Sequence, residues 1–198
     1  MKPGLLSLFC FFAIQLTGQP ESYKNDIRGY RSSNWAGLVA DSRSTLQPKD
    51  SIYLRYFPVK ESSKVFCEVE VLDDQPPFEM PTYSGQVKVF KRYALLHFTW
   101  KGKPLTLCAY QNLQLTSPLY KNHLFLPVKD LTSGKQTYEG GRYLDIKSTS
   151  IQNNKLLINL NQLYNPWCAY SDGYNCPIPP VENHLAIKLK AGEKKFRK

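Results

Sequence analysis

Beyond residue 50, apolar and polar positions alternate one by one along much of the chain, the period of a strand with one buried face. In SIYLRYF, Ile52, Leu54 and Tyr56 share a face. In KVFCEVEVL, Val65, Cys67, Val69 and Val71 point one way while Glu68 and Glu70 point the other. RYALLHFTW and PLTLCAY flank the short break KGK, which predicts a hairpin. HLFLPV is a continuous apolar run whose Pro127 predicts an edge or a strand end. RYLDI, KLLINL and HLAIKLK complete the set, the last with Leu185, Ile187 and Leu189 aligned. So many short strands at turn-separated intervals predict a mainly β fold, an antiparallel sandwich or a partly closed barrel. Helical spacing is confined to Tyr23, Ile27 and Tyr30. A short N-terminal helix or arm is therefore expected over 19–48, ahead of a single β-rich domain over 49–198 that ends in a basic tail.

The first residues, MKPGLLSLFCFFAIQLTGQP, have a different pattern. A lysine precedes a ten-residue apolar run from Leu5 to Ile14, and small residues follow. That is the layout of a secretory signal over 1–18, too short for a membrane span. No later stretch is apolar enough to cross a bilayer, so the expected protein is soluble and exported, to a periplasm or outside the cell. The formal net charge is +10, but residues 188–198 concentrate six basic residues against one acid. The excess reads as a solvated end rather than a face that tracks nucleic acid. With 42% hydrophobic and 13% aromatic residues, the chain can bury a real core and is not expected to be disordered.

The stretch DLTSGKQTYEGGRYLDI, residues 130–146, begins like a phosphate loop. That motif needs a Ser or Thr after Gly-Lys, a glycine five positions earlier and a helix to follow. Gln136, Lys129 and the strand RYLDI stand in those places, so the phosphate reading fails. TSG is instead a turn in which Asp130 can accept from nearby amides. Gly140 and Gly141 allow a bulge or a close approach of another segment. Beyond them Arg142 and Leu144 face one way, Tyr143 and Asp145 the other. Arg142 is either in a structural ion pair or placed to grip a carboxylate or phosphate.

Between Asn161 and Asn183 lie four prolines, two cysteines, three tyrosines and a tryptophan, and a loop this long is usually functional or cross-linked. Export makes a Cys168–Cys176 disulfide available, although four mature cysteines allow three full pairings. Cys67 and Cys108 read as buried free thiols. Cys168, Cys176 and His184 are evenly spaced but lack the close pair and fourth ligand of a zinc site, so no metal and no cofactor is expected. A cysteine nucleophile needs a base, and none of His97, His123 or His184 is placed beside Cys168 by the sequence.

TSGKQTYEGGRYLD, NQLYNPWCAY, NCPIPPVENHL and AGEKKF, in that order, resemble the bacterial domain-of-unknown-function family 1684. The match is strongest over 123–196 and extends more loosely back to about residue 50. The family pattern groups Thr137, Tyr138, Gly141, Arg142, Tyr143, Asp145, Asn161, Tyr164, Asn165, Cys168, Tyr170, Cys176, Pro180, Glu182, Asn183 and Glu193. This chain departs from it at Asn159, where an acid is common, and at His184, where an arginine is. The resemblance implies no activity.

Arg142, Asp145, Glu182 and Glu193 are charges in apolar or proline-rich surroundings, and such charges are costly to bury unpaired. They either pair with one another or leave an open polar site rimmed by Tyr143, Trp167 and Tyr170. The resulting expectation is a small-ligand binding or structural module. Its site would comprise Arg142, Tyr143, Asp145, Asn161, Asn165, Tyr170, Glu182 and Asn183, and its partner would be an unidentified small ligand. The alternative is a hydrolase or thiol-dependent enzyme centred on Cys168 or Cys176. A third role, attachment to an anionic surface, would use the tail.

Overall fold

The computed structural model describes residues 19–198, and the expected signal segment lies outside the described residues. Among the described residues are eight strands: β1 Lys64–Val71, β2 Phe78–Pro81, β3 Val87–Trp100, β4 Lys103–Asn112, β5 His123–Asp130, β6 Arg142–Lys147, β7 Lys155–Asn159 and β8 His184–Leu185. The main path runs β6-β5-β4-β3-β1-β7, antiparallel throughout, with β2 added to β3 and a parallel β8 added to β5. The sheet curls into a half-barrel, which selects the partly closed barrel over the sandwich.

One face of this sheet is covered throughout and the other only in part, and a bulge in β3 distributes the side chains between them. The expected hairpin turns at Lys101 and Gly102, both at positive φ, so that Trp100 pairs with Lys103. Farther along, the pairing slips between Arg92 and Ala94. One extra residue inverts the alternation. Phe90 therefore joins Met80, Cys108, Tyr110, Phe125 and Tyr143 on one face. Ala94, Leu96 and Phe98 join Val65, Leu107, Leu126 and Leu144 in the larger core on the other. Cys67 and Cys108 lie on opposite faces, both free and buried, and burial raises their thiols to about 12 and about 11.

The N-terminal element is a helix, α1 Gln19–Ala40. Tyr23, Ile27 and Leu38 are its buried positions. Its polar tips reach the turn after β7: Tyr23 donates to Asn159 Oδ1 at 3.0 Å and Tyr30 to the Gln162 carbonyl at 3.1 Å.

Three local expectations are corrected. SIYLRYF is not a strand. Pro48 starts a 3₁₀ turn over Pro48–Tyr53, Asp50 accepts from the Gln47 amide at 3.0 Å, and Ile52 is left exposed. HLAIKLK pairs as a strand only over His184–Leu185. Leu185, Leu189 and Ala191 still join the main core, but the later carbonyls are claimed by a side chain. The basic tail is not frayed. Phe196 packs with Trp35, Tyr53 and Tyr170, and Lys198 reaches Asp50 at 3.0 Å.

Candidate functional site

Gly141 explains how the glycine-rich stretch enters the sheet. Its φ is +86°, and a Cβ there would stand 2.6 Å from the Val128 carbonyl oxygen. Only a residue without a side chain lets β6 start this close to β5. The next residue, Arg142, is fully buried on the main-core face. Its Nη2 donates to Asp130 Oδ2 at 2.8 Å and to the Leu189 carbonyl at 2.9 Å, and its Nη1 donates to the Ala191 and Glu193 carbonyls. The other Asp130 oxygen accepts from the Thr132 amide at 2.7 Å and the Leu189 amide at 3.2 Å. Arg142 and Asp130 thus clamp the C-terminal crossing to the sheet. Of the two arrangements left open for the four charges, mutual pairing does not occur. Arg142 takes Asp130, Glu182 takes Arg92 at 2.8 Å on the surface, and Asp145 and Glu193 face cavities.

Two of the asparagines hold chain to chain. Pairing between β4 and β5 is limited to Tyr110 with Phe125. Two residues on, Cys108 faces Pro127, which has no N–H to give. Asn183 fills that gap. It accepts from the Cys108 amide at 2.8 Å and donates to the Cys108 and Pro127 carbonyls at 2.8 and 2.7 Å. Pro127 therefore marks neither an edge nor a strand end but a place where a side chain replaces the ladder. Asn161 likewise exchanges hydrogen bonds with the backbone of Lys60 and donates to Tyr23.

The long loop runs along the edge of β6 and turns over the face opposite Arg142. Tyr143 and Tyr164 exchange both backbone hydrogen bonds, and the Tyr143 hydroxyl donates to the Pro177 carbonyl. Cys168 and Cys176 are joined within the loop with Cα atoms 6.2 Å apart, so neither is a free thiol. Between loop and sheet lies a cleft of about 390 Å³ walled by Phe90, Phe125, Tyr143, Trp167 and Tyr174. Arg43 and Lys88 stand at its rim, the former 4.6 Å over the Tyr174 ring, and burial lowers Lys88 from its ordinary value. Asp145 has a half-exposed side chain in this cleft. Its Oδ1 lies 2.9 Å from His123 Nε2, and its Oδ2 accepts from the Tyr164 hydroxyl at 2.7 Å. Burial raises the Tyr164 hydroxyl well above the usual tyrosine range, so it stays a donor.

A second cavity, of about 240 Å³, adjoins the first and shares Asp145, Tyr164 and Trp167 with it. Tyr56, Asn165, Tyr170 and Glu193 line it beneath α1. Glu193 accepts from the Tyr170 hydroxyl and from the Asn165 amide at 3.0 Å. Burial outweighs both and pushes its carboxyl up to about 7. Asn165 donates to the Lys194 carbonyl at 2.8 Å, while its Oδ1 is buried without a partner.

Of the eight residues singled out in the sequence, Tyr143, Asp145, Asn165 and Tyr170 meet at these two cavities. Arg142, Asn161, Glu182 and Asn183 do not line them. His123, Arg43, Lys88, Phe90, Phe125 and Tyr174 were not singled out for the site. A signal for two of them existed. Alternation puts His123 and Phe125 on one face of HLFLPV, and antiparallel pairing with RYLDI sets Phe125 against Asp145. His123 is then the diagonal neighbour of Asp145, within side-chain reach.

The family model described as "Protein of unknown function (DUF1684)" matches residues 52–194. An uncharacterized protein of Haloarcula marismortui, solved by NMR in solution, is similar at 26% identity. The similarity covers 88% of this chain and 95% of that one, with a TM-score of 0.67. No curated protein matches.

Proposed function

The chain belongs to the DUF1684 family, and for this member we propose a small-ligand binding module whose site is the cleft between β5–β6 and the 161–183 loop. One observation carries the reading. Asp145 presents a half-exposed carboxylate, fixed by His123 and Tyr164, inside a concave wall of aromatic side chains. A largely apolar recess with a few oriented polar groups is the usual form of a ligand site. The buried Arg142 supports this site from the far face of β6 rather than by touching a ligand. The ligand class is a small aromatic molecule carrying a hydrogen-bonding substituent. Titrating labelled protein with 2-phenylethanol should give saturable amide shifts at Tyr143, Asp145, Tyr164 and Tyr174. Trp167→Ala should weaken that binding at least tenfold. Shifts scattered over the surface, or binding undiminished in Trp167→Ala, reject the site.

Export belongs to the same proposal. A disulfide persists in oxidising compartments, and the Cys168–Cys176 pair supports one. Mass spectrometry of protein from a fractionated host should find an N-terminus near Gln19 outside the cytoplasm, with that pair oxidised. A cytoplasmic product still carrying residues 1–18 rejects export.

A second reading, acid–base hydrolysis, has one observation in its favour. His123 places one ring nitrogen on Asp145 and leaves Nδ1 buried without a partner. It would use no cysteine. Turnover of a nitrophenyl ester that disappears in His123→Gln, with the variant's amide spectrum showing it folded, would establish it.

A further inference from the structure

We propose that the smaller cavity is a subsite for an organic ammonium group, so that the ligand is an aromatic amine with its ring in the larger cleft. This rests on the cleft being a ligand site and adds the chemistry of one end.

The argument starts from unmet acceptors. Glu193 is buried with a carboxylate that takes two hydrogen bonds, from Tyr170 and from the Asn165 amide. A carboxylate can accept about four. Among the described residues, no ion pair involves its side chain. Arg31 on α1 acts on Glu193 through its charge but makes no ion pair with it, giving its Nη2 to the Asn161 carbonyl. Asn165 is itself buried, and its Oδ1 has no partner. A buried acceptor left unmade costs about 1–3 kcal/mol. Asp145 adds a second carboxylate where the two cavities meet.

A ligand group that answers this arrangement must donate and must carry positive charge. An ammonium has three donors and no acceptor. Above about pH 7, where Glu193 is ionised, a carboxylate or phosphate would face two like charges, and a neutral hydroxyl would supply one donor only. The walls agree. Trp35, Tyr56 and Tyr170 line the chamber, and aromatic rings attract cations. The Tyr56 ring already carries the Arg31 guanidinium, 4.0 Å from its centre, so Trp35 and Tyr170 are the rings left to a ligand cation. At about 240 Å³ the chamber is small for a whole ligand, and it shares Asp145, Tyr164 and Trp167 with the aromatic cleft.

Three probes of one shape separate the outcomes: phenethylammonium, 2-phenylethanol and phenylacetate, titrated against the intact chain by tryptophan fluorescence and amide shifts. Phenethylammonium should bind at least tenfold more tightly than the alcohol, and phenylacetate most weakly. Shifts at Asn165, Tyr170 and Glu193 should appear with the amine alone. Glu193→Gln should erase the amine preference while leaving alcohol binding unchanged. Should that variant fail to fold, Trp35→Ala should reduce the same preference. Equal binding of all three probes overturns the ammonium subsite and leaves the cleft standing. Binding of none overturns both.

Discussion

Replacing Arg142 by methionine should come close to unfolding the protein, although this residue touches neither cavity. The change strands the Asp130 carboxylate, whose side chain is wholly buried, with only two backbone amides for company. Removing one partner of a buried ion pair typically costs about 3–5 kcal/mol. The carbonyls of Leu189, Ala191 and Glu193 lose their donor as well, at about 1–3 kcal/mol for each that stays dry. These costs overlap, so about 5 kcal/mol is a fair total, against a net stability of ~5–15 kcal/mol for a domain. Urea unfolding followed by tryptophan fluorescence, with the disulfide intact, measures it directly. At roughly 2–4 °C per kcal/mol the melting temperature should fall by at least about 10 °C. The double variant Asp130→Asn/Arg142→Met should recover about 2 kcal/mol of the loss, because it removes the uncompensated charge while keeping an acceptor for Thr132. A single variant within about 1 kcal/mol of the parent, or a double variant no better than the single, would refute the clamp.

Asn183→Ala removes the three hydrogen bonds by which this side chain bridges β4 and β5, and should cost about 2–4 kcal/mol in the same assay. Reducing Cys168–Cys176 opens a nine-residue ring and should lower stability by about 2.5 kcal/mol, measured by unfolding with and without reductant. Glu193 gives a pH signature. Its folded carboxyl titrates near 7 against 4.5 when unfolded, mainly through burial, so the folded state holds the extra proton between those values. Stability should therefore decline as pH rises from about 4.5 to 7 and level off above. Tyr170, Asn165 and the Arg142 charge act on the group from the loop and β6, and Tyr56 and Arg31 lie near it from the stretch after the 3₁₀ turn and from α1. A Glu193→Gln variant whose stability keeps the same pH slope would contradict this origin.

Strands were legible wherever one face is buried and the other wet, as in KVFCEVEVL and the KGK hairpin. Alternation failed in two places for different reasons. In SIYLRYF a proline and a capping aspartate set the backbone before the pattern could act. In HLAIKLK the pattern correctly gave the buried side chains but not the pairing, because a guanidinium took the carbonyls a ladder would have used. The candidate site was half legible. Tyr143 and Asp145 follow from strand parity, and the loop could be singled out by its composition. The partner of Arg142 could not be read. Asp130 looked like a turn residue, which it is through one oxygen, while its other oxygen neutralises the arginine. Local grammar explains the first bond; only the folded crossing reveals the second.

The clamp also fixes an order of events. The carbonyls that Arg142 holds come 47 to 51 positions after it along the chain. A growing polypeptide that has emerged only as far as β7 has the arginine and its aspartate but none of those acceptors, nor Leu189 and Ala191 to close the main core. The sheet cannot lock until that late stretch arrives, so the chain stays pliable through most of its synthesis. A protein that must thread a narrow translocation channel before it folds would gain from that delay.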